Sequence, residues 1–425
     1  MTDTIFALSS GAPPAAIALI RISGPAASNA LVSLAGRLPE PRRAVTATLR
    51  DGAGDVLDRA LVLWLPGPTT ATGEDCAELH LHGGRAVVRA VEGALAALPG
   101  LRPALPGEFT RRAFANCRID LSEAEGLADL LSAETELQRR SAMAMAGGAF
   151  SHEVEGWRST LLSASASLEA VLDFADEDDV AAVPADFAER LGALALQLAG
   201  WLERPRAERL RDGFRVVLAG PPNAGKSTLF NALVQDEAAI TAPIPGTTRD
   251  VLSRPVAIEG VPFVFEDTAG LRDQTGDVIE AIGIERARTA LDQADVVLWL
   301  GDEGEGPTGA WELEAQIDRA AHGAKTAPRH RVSAVTGEGV DALRSDLVAT
   351  ARTSMPHPGE AALNARQHAL LAEARLAIVE ATQVRDPLLA AECLRLARVA
   401  FDSLIGRATT EDMLDALFGR FCIGK

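Results

Sequence analysis

The chain has 425 residues, 47% of them hydrophobic, and a formal net charge of −18 at pH 7. This length predicts about two to four domains with packed cores, and the acidic balance argues against a protein that binds nucleic acid over its whole surface. No apolar run reaches about 18 residues and the N-terminus has no basic segment, so neither a membrane span nor a secretory signal is expected.

The predicted N-terminal domain spans residues 1–117. Short apolar runs at residues 16–22, 60–65 and 77–81 alternate there with turns rich in glycine and proline. Runs of this length between such turns are typical of strands, and the segment as a whole predicts an α+β domain.

Residues 118–212 are rich in alanine and leucine, and their apolar positions recur with a helical period, as at Leu161, Leu168 and Leu172. The same periodicity returns in residues 353–425. We therefore predict a multidomain chain in which an α/β domain, residues 213–352, is inserted into an all-α domain. Three serial domains are the alternative arrangement.

The α/β domain opens with a glycine-rich loop after the apolar run at residues 216–219. The loop reads G-P-P-N-A-G-K-S-T, which is the Walker A pattern of a P-loop. Backbone N–H groups of such a loop point at phosphate oxygens, a lysine reaches the β- and γ-phosphates, and a serine hydroxyl binds Mg²⁺. The predicted nucleotide-binding residues of the loop are Asn223, Ala224, Gly225, Lys226, Ser227 and Thr228.

Further motifs follow the P-loop in the order of a Ras-like GTPase. A G-T-T-R-D segment at residues 246–250 supplies a switch I threonine, and D-x-x-G at residues 267–270 ends an apolar strand. The order predicts a GTPase that uses GTP with Mg²⁺ bound by Ser227, Thr248 and Asp267. The nucleotide-binding residues predicted downstream of the loop are Ala242, Thr247, Thr248, Asp267, Thr268, Ala269, Gly270, Asp318, Ser333 and Ala334.

The catalytic glutamine of Ras-like enzymes is missing, because Leu271 occupies its position. An apolar side chain cannot orient water, so another group must do so. Asn223 offers a neutral oxygen suited to a monovalent cation, and a bound K⁺ would stabilise charge beside the phosphates. The alternative is that Asn223 only stabilises the turn.

The guanine-reading motif N-K-x-D is also missing, and two segments compete for its place. Residues 324–327 keep only Lys325, whereas residues 315–318 keep Asp318 after a predicted strand at residues 311–317. We prefer Asp318, because a carboxylate accepts from two N–H groups that guanine has and adenine lacks. Gln316 is expected to pack its stem against the base. The stretch at residues 301–309 is too short for an ordinary crossover helix.

Five motifs give the chain a family resemblance: residues 106–114 (P-G-E-F-T-R-R-A-F), the loop around Lys226, G-T-T-R-D at residues 246–250, G-I-E-R at residues 283–286 and the terminal F-C-I-G-K. With these, the chain resembles the MnmE (TrmE) family of tRNA modification GTPases over essentially its whole length. The resemblance implies a cytoplasmic homodimer that acts with an FAD-dependent partner, MnmG (GidA). Together they would install a (carboxymethyl)aminomethyl group at C5 of the wobble uridine of certain tRNAs, using 5,10-methylene- or 5-formyl-tetrahydrofolate.

The resemblance also implies roles for individual residues. Glu280, three positions before G-I-E-R, would orient the attacking water, with Asp273 and Asp277 as alternatives, and Lys226 and Cys422 would complete the catalytic set. Folate would be bound by Arg21, Glu78, Arg118 and Lys425, with arginine at position 118 where the family usually has lysine. K⁺ would be bound by Asn223, Ala242, Ile244 and Thr247.

Without the resemblance, several of these residues have simpler interpretations. Arg21 and Glu78 would form a surface ion pair, and Cys422 would be a small buried hydrophobic residue. All four cysteines, Cys76, Cys117, Cys393 and Cys422, show no paired or metal-ligand spacing and are expected to be reduced thiols. The alternative function is a GTP-dependent regulatory or assembly switch without modification chemistry of its own.

Overall fold

The computed structural model describes residues 3–173, 184–234, 238–239, 253–267, 289–320, 322–419 and 421–424. These residues form two compact units. One contains the described residues of Met1–Ala128 and Asp402–Lys425, and the other those of Asp129–Phe401. None of the helices in the described ranges is both long enough and apolar enough to cross a membrane.

A mixed sheet and three helices make up the N-terminal part of the first unit. Within the described residues the sheet has the strand order β3-β4-β5-β2-β1-β6, in which only the pairing of β1 with β6 is parallel. Its strands are β1 Thr4–Leu8, β2 Ile17–Ser23, β3 Val45–Arg50, β4 Val56–Leu65, β5 Cys76–His82 and β6 Leu101–Pro103. Its helices are α1 Ala27–Ala35, α2 Arg85–Ala96 and α3 Glu108–Ala115.

One face of this sheet is the core face. Alternate residues of β2 and β5, such as Ile20, Ile22 and Leu79, are fully buried there with apolar residues of α1 and α2. Because side chains alternate across a strand, the intervening residues Arg21 and Glu78 lie on the opposite face. The sequence prediction of an α+β domain is confirmed.

The remaining helices belong to the all-α part of the chain or to the α/β domain. In chain order they are α4 Leu121–Ser132, α5 Glu136–Ala146, α6 Ala149–Asp173, α7 Phe187–Leu202, α8 Ala207–Asp212, α9 Lys226–Val234, α10 Val340–Ser354, α11 Ala365–Gln383, α12 Pro387–Leu404 and α13 Glu411–Phe418. Helix α7 packs against α11 although the whole α/β segment separates them in sequence. The predicted insertion of the α/β domain into a helical one is thereby confirmed.

Helix starts in the all-α part are set by local hydrogen bonds. Before α5, Thr135 Oγ1 accepts from the Gln138 backbone N–H at 3.2 Å, and Gln138 Oε1 accepts from the Thr135 N–H at 2.9 Å. Asn364 and Gln367 form the same reciprocal pair before α11. Each capping box satisfies backbone donors that the first helical turn leaves unpaired.

The α/β domain contains the second sheet. Among the described residues its strand order is β13-β12-β11-β7-β10-β9-β8, parallel from β13 to β10 and antiparallel beyond. Its strands are β7 Phe214–Ala219, β8 Ala238–Ala239, β9 Ser253–Ile258, β10 Val261–Asp267, β11 Val296–Trp299, β12 Trp311–Ala315 and β13 His330–Val332. No helix lies between β11 and β12 in this fully described stretch, as the short glycine-rich connection predicted.

Candidate nucleotide and N-terminal ligand sites

The glycine-rich loop joins the central strand β7 to helix α9. Its backbone is left-handed at three positions, with φ of 148° at Gly220, 63° at Asn223 and 91° at Gly225. Left-handed residues in a turn let neighbouring backbone N–H groups face a bound anion. At Gly225 the φ of 91° favours glycine by conformation, and a Cβ atom there would also lie 2.9 Å from Gln316 Nε2, which would have to move.

Lys226 and Ser227 begin α9, and each makes a polar contact within the α/β domain. Lys226 is buried, and its Nζ donates to the carbonyls of Gly220 and Pro221 at 2.9 and 2.7 Å. Ser227 Oγ donates to Asp267 Oδ2 at 2.5 Å. Asp267 ends β10, which runs parallel to β7, so the sheet itself brings these two oxygen ligands together. A hydroxyl and a carboxylate are the donor types that Mg²⁺ prefers, and the pair fits that ion.

Asp318 and Ser333 meet at the ends of β12 and β13. Ser333 is fully buried, and its Oγ donates to Asp318 Oδ1 at 2.6 Å. This hydrogen bond lowers the pKa of Asp318, so the carboxylate is charged at neutral pH. Ala334 packs at the edge of the domain core.

Lys325, the competing candidate for base recognition, makes different contacts. It is 7% exposed, and its Nζ donates to the Trp299 carbonyl at 3.1 Å and to the carboxylate of Glu312. The structure therefore brings Asp318 and Ser333 together but joins Lys325 to the end of β11 and the start of β12.

Gln316 makes a contact that the sequence did not predict. Its Nε2 donates to the backbone carbonyl of Asn223 in the P-loop at 3.0 Å. The predicted end of the strand at residue 317 was wrong: β12 ends at Ala315, because Gln316 adopts a left-handed conformation with φ of 58°. The sequence feature that could have indicated the Gln316–Asn223 contact is a polar amide directly after a buried strand.

Arg21 and Glu78 face each other across neighbouring strands of the N-terminal sheet. They are register partners in the β2–β5 pair, and Arg21 Nε and Nη2 donate to Glu78 Oε1 at 3.1 and 3.0 Å. The two side chains are 27% and 16% exposed, so the pair is largely shielded from solvent. This burial does not fit the simpler interpretation, in which Arg21 and Glu78 form an ordinary surface ion pair.

The C-terminal tail lies against the N-terminal strands of the same unit. Gly424 has φ of 93°, and a Cβ atom there would lie 2.1 Å from the Leu8 carbonyl oxygen. Leu8 pairs with Ile20, the neighbour of Arg21. The Cys422 carbonyl accepts a hydrogen bond from the Gly107 backbone N–H at 3.4 Å. Cys422 itself is exposed, so its interpretation as a buried hydrophobic residue is wrong.

Arg118 lies close to the turn at Gly73, where a Cβ atom would meet its Cγ at 3.1 Å. Among the described residues no hydrogen bond joins Arg118 to Arg21 or Glu78. The structure thus places the tail against the end of β1, the neighbour of β2 that carries Arg21, and does not join Arg118 to the Arg21–Glu78 pair.

Other predicted site residues lie outside the described residues, and their roles stay predictions. They are Ala242, Ile244, Thr247, Thr248, Thr268, Ala269, Gly270, Glu280 and Lys425, with Leu271, Asp273, Asp277 and the G-I-E-R motif.

Comparisons with known proteins cover both units. Residues 4–118 match the family model described as GTP-binding protein TrmE N-terminus, and residues 121–422 match the model of the MnmE helical domain. Over its full length the chain is 66% identical to the tRNA modification GTPase MnmE of Novosphingobium aromaticivorans, covering 100% of that protein. It is 64% identical to MnmE of Erythrobacter litoralis, again at 100% coverage of both chains, and 59% identical to that of Rhizorhabdus wittichii, where 97% of the relative is covered.

Proposed function

Since this chain belongs to the MnmE family of tRNA modification GTPases, we propose that it is a K⁺-stimulated GTPase whose cycle drives a modification at the wobble uridine of tRNA. Family membership makes it a GTPase that acts in tRNA modification. The cation, the carbon donor and the partner protein are the parts that we propose.

The observation that supports nucleotide hydrolysis most directly is the 2.5 Å contact between Ser227 and Asp267. Both side chains would hold Mg²⁺, together with Thr248, and the ion supplies positive charge to the phosphates when it is bound. Lys226 would exchange its contacts with the loop carbonyls for the phosphate oxygens. Two of its contacts are to neutral carbonyls, and phosphate oxygens offer a stronger, charge-assisted interaction than these.

Asp318 is proposed to read the base. A charged carboxylate fixed by a buried hydroxyl is oriented before the ligand arrives, so little conformational freedom is lost on binding. It would accept from guanine N1–H and N2–H. Ser333 and Ala334 would line the same side of the base, and Glu280 is proposed to orient the attacking water as general base.

The N-terminal site is proposed to bind the one-carbon donor, 5,10-methylene- or 5-formyl-tetrahydrofolate. Support comes from the largely buried Arg21–Glu78 pair and from the tail, which lies against Leu8 at the end of the neighbouring strand β1. Lys425 and Arg118 would add positive charge for the folate carboxylates, and Cys422 is exposed at the tail, where the modification chemistry is proposed to take place. An FAD-dependent partner, MnmG (GidA), and a homodimer of this chain in the cytoplasm complete the proposal. The domain boundaries at residues 117, 212 and 352 stay predictions.

The proposed cation dependence has a direct test. We expect GTP hydrolysis to be much faster in K⁺ than in Na⁺, and Asn223→Ala to lower the K⁺-stimulated rate by about 10²-fold, the scale of losing one preorganised charge-stabilising group. Steady-state GTPase rates in matched KCl and NaCl buffers measure both effects.

Two further variants separate the cation from the loop conformation. Asn223→Gly removes the amide yet adopts φ of 63° without strain, so it should lose K⁺ stimulation like the alanine variant. Asn231→Ala changes an exposed asparagine of α9 and should keep it. Equal wild-type rates in the two salts, or K⁺ stimulation retained by both Asn223 variants, would reject the proposed site.

A further inference from the structure

A histidine beside the Arg21–Glu78 pair has a buried ring nitrogen without a hydrogen bond. Among the described residues no partner reaches His80 Nε2 with hydrogen-bond geometry, although the atom is shielded from solvent. Leaving a buried polar atom without a hydrogen bond costs free energy. Such an atom in a folded protein calls for an explanation, and a ligand is one.

The register of the sheet places His80 on the same face as the pair. Strand β5 alternates, so Ala77, Leu79 and Leu81 are buried in the core, while Glu78 and His80 occupy the opposite face. Glu78 Oε1 receives both hydrogen bonds from Arg21. Glu78 Oε2 lies 3.4 Å from His80 Nε2, so these two atoms stand side by side on that face.

The next histidine along the strand shows that this situation is particular to His80. His82 belongs to the same face, two residues further on, and its side chain is 75% exposed. Its Nδ1 lies 2.7 Å from Asp58 Oδ1, and its backbone N–H donates to Asp58 Oδ2 at 2.8 Å. His82 is therefore solvated and paired, whereas His80, whose side chain is 31% exposed, has a buried Nε2 without a hydrogen bond beside a carboxylate oxygen.

We propose that His80 is an additional ligand-binding residue of the N-terminal site, and that its Nε2 accepts a hydrogen bond from the pyrimidine ring of the folate. The inference rests on the proposed function of that site. The 2-amino-4-oxopyrimidine ring of a reduced folate presents neighbouring N–H donors along one edge. Glu78 Oε2 would accept from one of them and His80 Nε2 from the next, with the His80 proton on Nδ1. Such a pair selects a ring with adjacent donors over one that lacks them.

The experiment measures binding by calorimetry with the full-length protein and two probes, 5-formyl-tetrahydrofolate and 6-methyltetrahydropterin, which has the ring but no glutamate tail. We expect His80→Leu to weaken both by about tenfold, the scale of one buried hydrogen bond. His80→Gln keeps a hydrogen-bonding group at this position and should stay within about threefold of wild type. His82→Leu is the matched control and should leave both affinities unchanged. Thermal unfolding of each variant checks that it is folded.

The outcomes distinguish a failure of the proposed folate site from a failure of the proposed role of His80. If the wild-type protein binds neither probe, the proposed folate site falls and the inference with it. If wild type binds both and His80→Leu binds them as tightly, only the role of His80 is overturned. A loss confined to the probe with the glutamate tail also overturns it, because the contact is then not with the ring.

Discussion

The proposed recognition of the guanine base depends on the hydrogen-bond partners of two side chains, Asp318 and Lys325. Asp318 is held by the buried hydroxyl of Ser333, while Lys325 is occupied by Glu312 and the Trp299 carbonyl. A lysine with these partners supports the β11–β12 connection. Asp318 therefore remains our proposed base-reading residue.

The first prediction at this scale concerns Asp318→Asn. An amide cannot accept from both N1–H and N2–H, so we expect weaker GTP binding and relaxed discrimination against xanthosine triphosphate, whose 2-oxo group suits the amide better. The expected loss in GTP affinity is about tenfold or more, the scale of a charged hydrogen bond. Competition binding with fluorescent GDP measures both affinities.

Lys325→Met is the control for that measurement. It removes a buried charged partner of Glu312, so we expect a lower unfolding temperature with unchanged preference for guanine. Unchanged GTP affinity in Asp318→Asn combined with loss of base preference in Lys325→Met would contradict the assignment.

The sequence predicted local structure well and contacts between distant residues poorly. Lys226 and Ser227 could be placed because the loop motif fixes the strand, turn and helix around them. The hydrogen bond from Gln316 to Asn223 joins residues 93 positions apart, and no local pattern encodes it. The buried Nε2 of His80 without a hydrogen bond could not be predicted either, because its position beside Glu78 and Arg21 depends on the register of β2 and β5.

At the scale of elements, helix α3 is fixed by a charge network centred on one arginine. Arg112 is fully buried, and its guanidinium donates to Asp3, Glu74 and Glu108 at 3.0–3.2 Å. Arg102 binds the Glu108 carboxylate too, and although burial alone would raise the pKa of Glu108, these hydrogen bonds lower it. The network fixes the helix start, where Gly107 contacts the Cys422 carbonyl.

We predict that Arg112→Met destabilises the protein by about 3–5 kcal/mol, because three carboxylates lose a buried partner. Arg111→Met is the matched control. Arg111 is adjacent in sequence but pairs with exposed carboxylates of α13, Glu411 and Asp415, so its loss should cost less than about 1 kcal/mol. Urea unfolding followed by circular dichroism compares them. Equal destabilisation by the two variants would show that burial of the network contributes nothing.

A buried charge network of this kind cannot be predicted from the hydrophobic pattern of the sequence. Short apolar runs indicated three of the six strands of the N-terminal sheet, β2, β4 and β5, and helical periodicity indicated the all-α part, because these elements bury apolar faces. An arginine in the R-R pair of residues 111–112 reads as exposed, and only packing shows that one is buried while the other is at the surface.

At the scale of the whole molecule, the insertion of the α/β domain is the feature that the sequence predicted best. Helices α7 and α11 flank that domain in sequence and pack together, which two separated periodic segments had indicated. The proposed division of labour follows this organisation. The α/β domain would bind and hydrolyse GTP, and the N-terminal sheet with the C-terminal tail would hold the carbon donor.

The central claim is that GTP hydrolysis by this chain drives wobble uridine modification, and mass spectrometry of nucleosides from bulk tRNA tests it most directly. Cells lacking the chain should lose the (carboxymethyl)aminomethyl uridines. Wild-type protein should restore them, whereas Lys226→Ala, which removes the phosphate-binding lysine, should not. Unchanged levels of these nucleosides in cells without the chain, or full restoration by Lys226→Ala, would contradict the account.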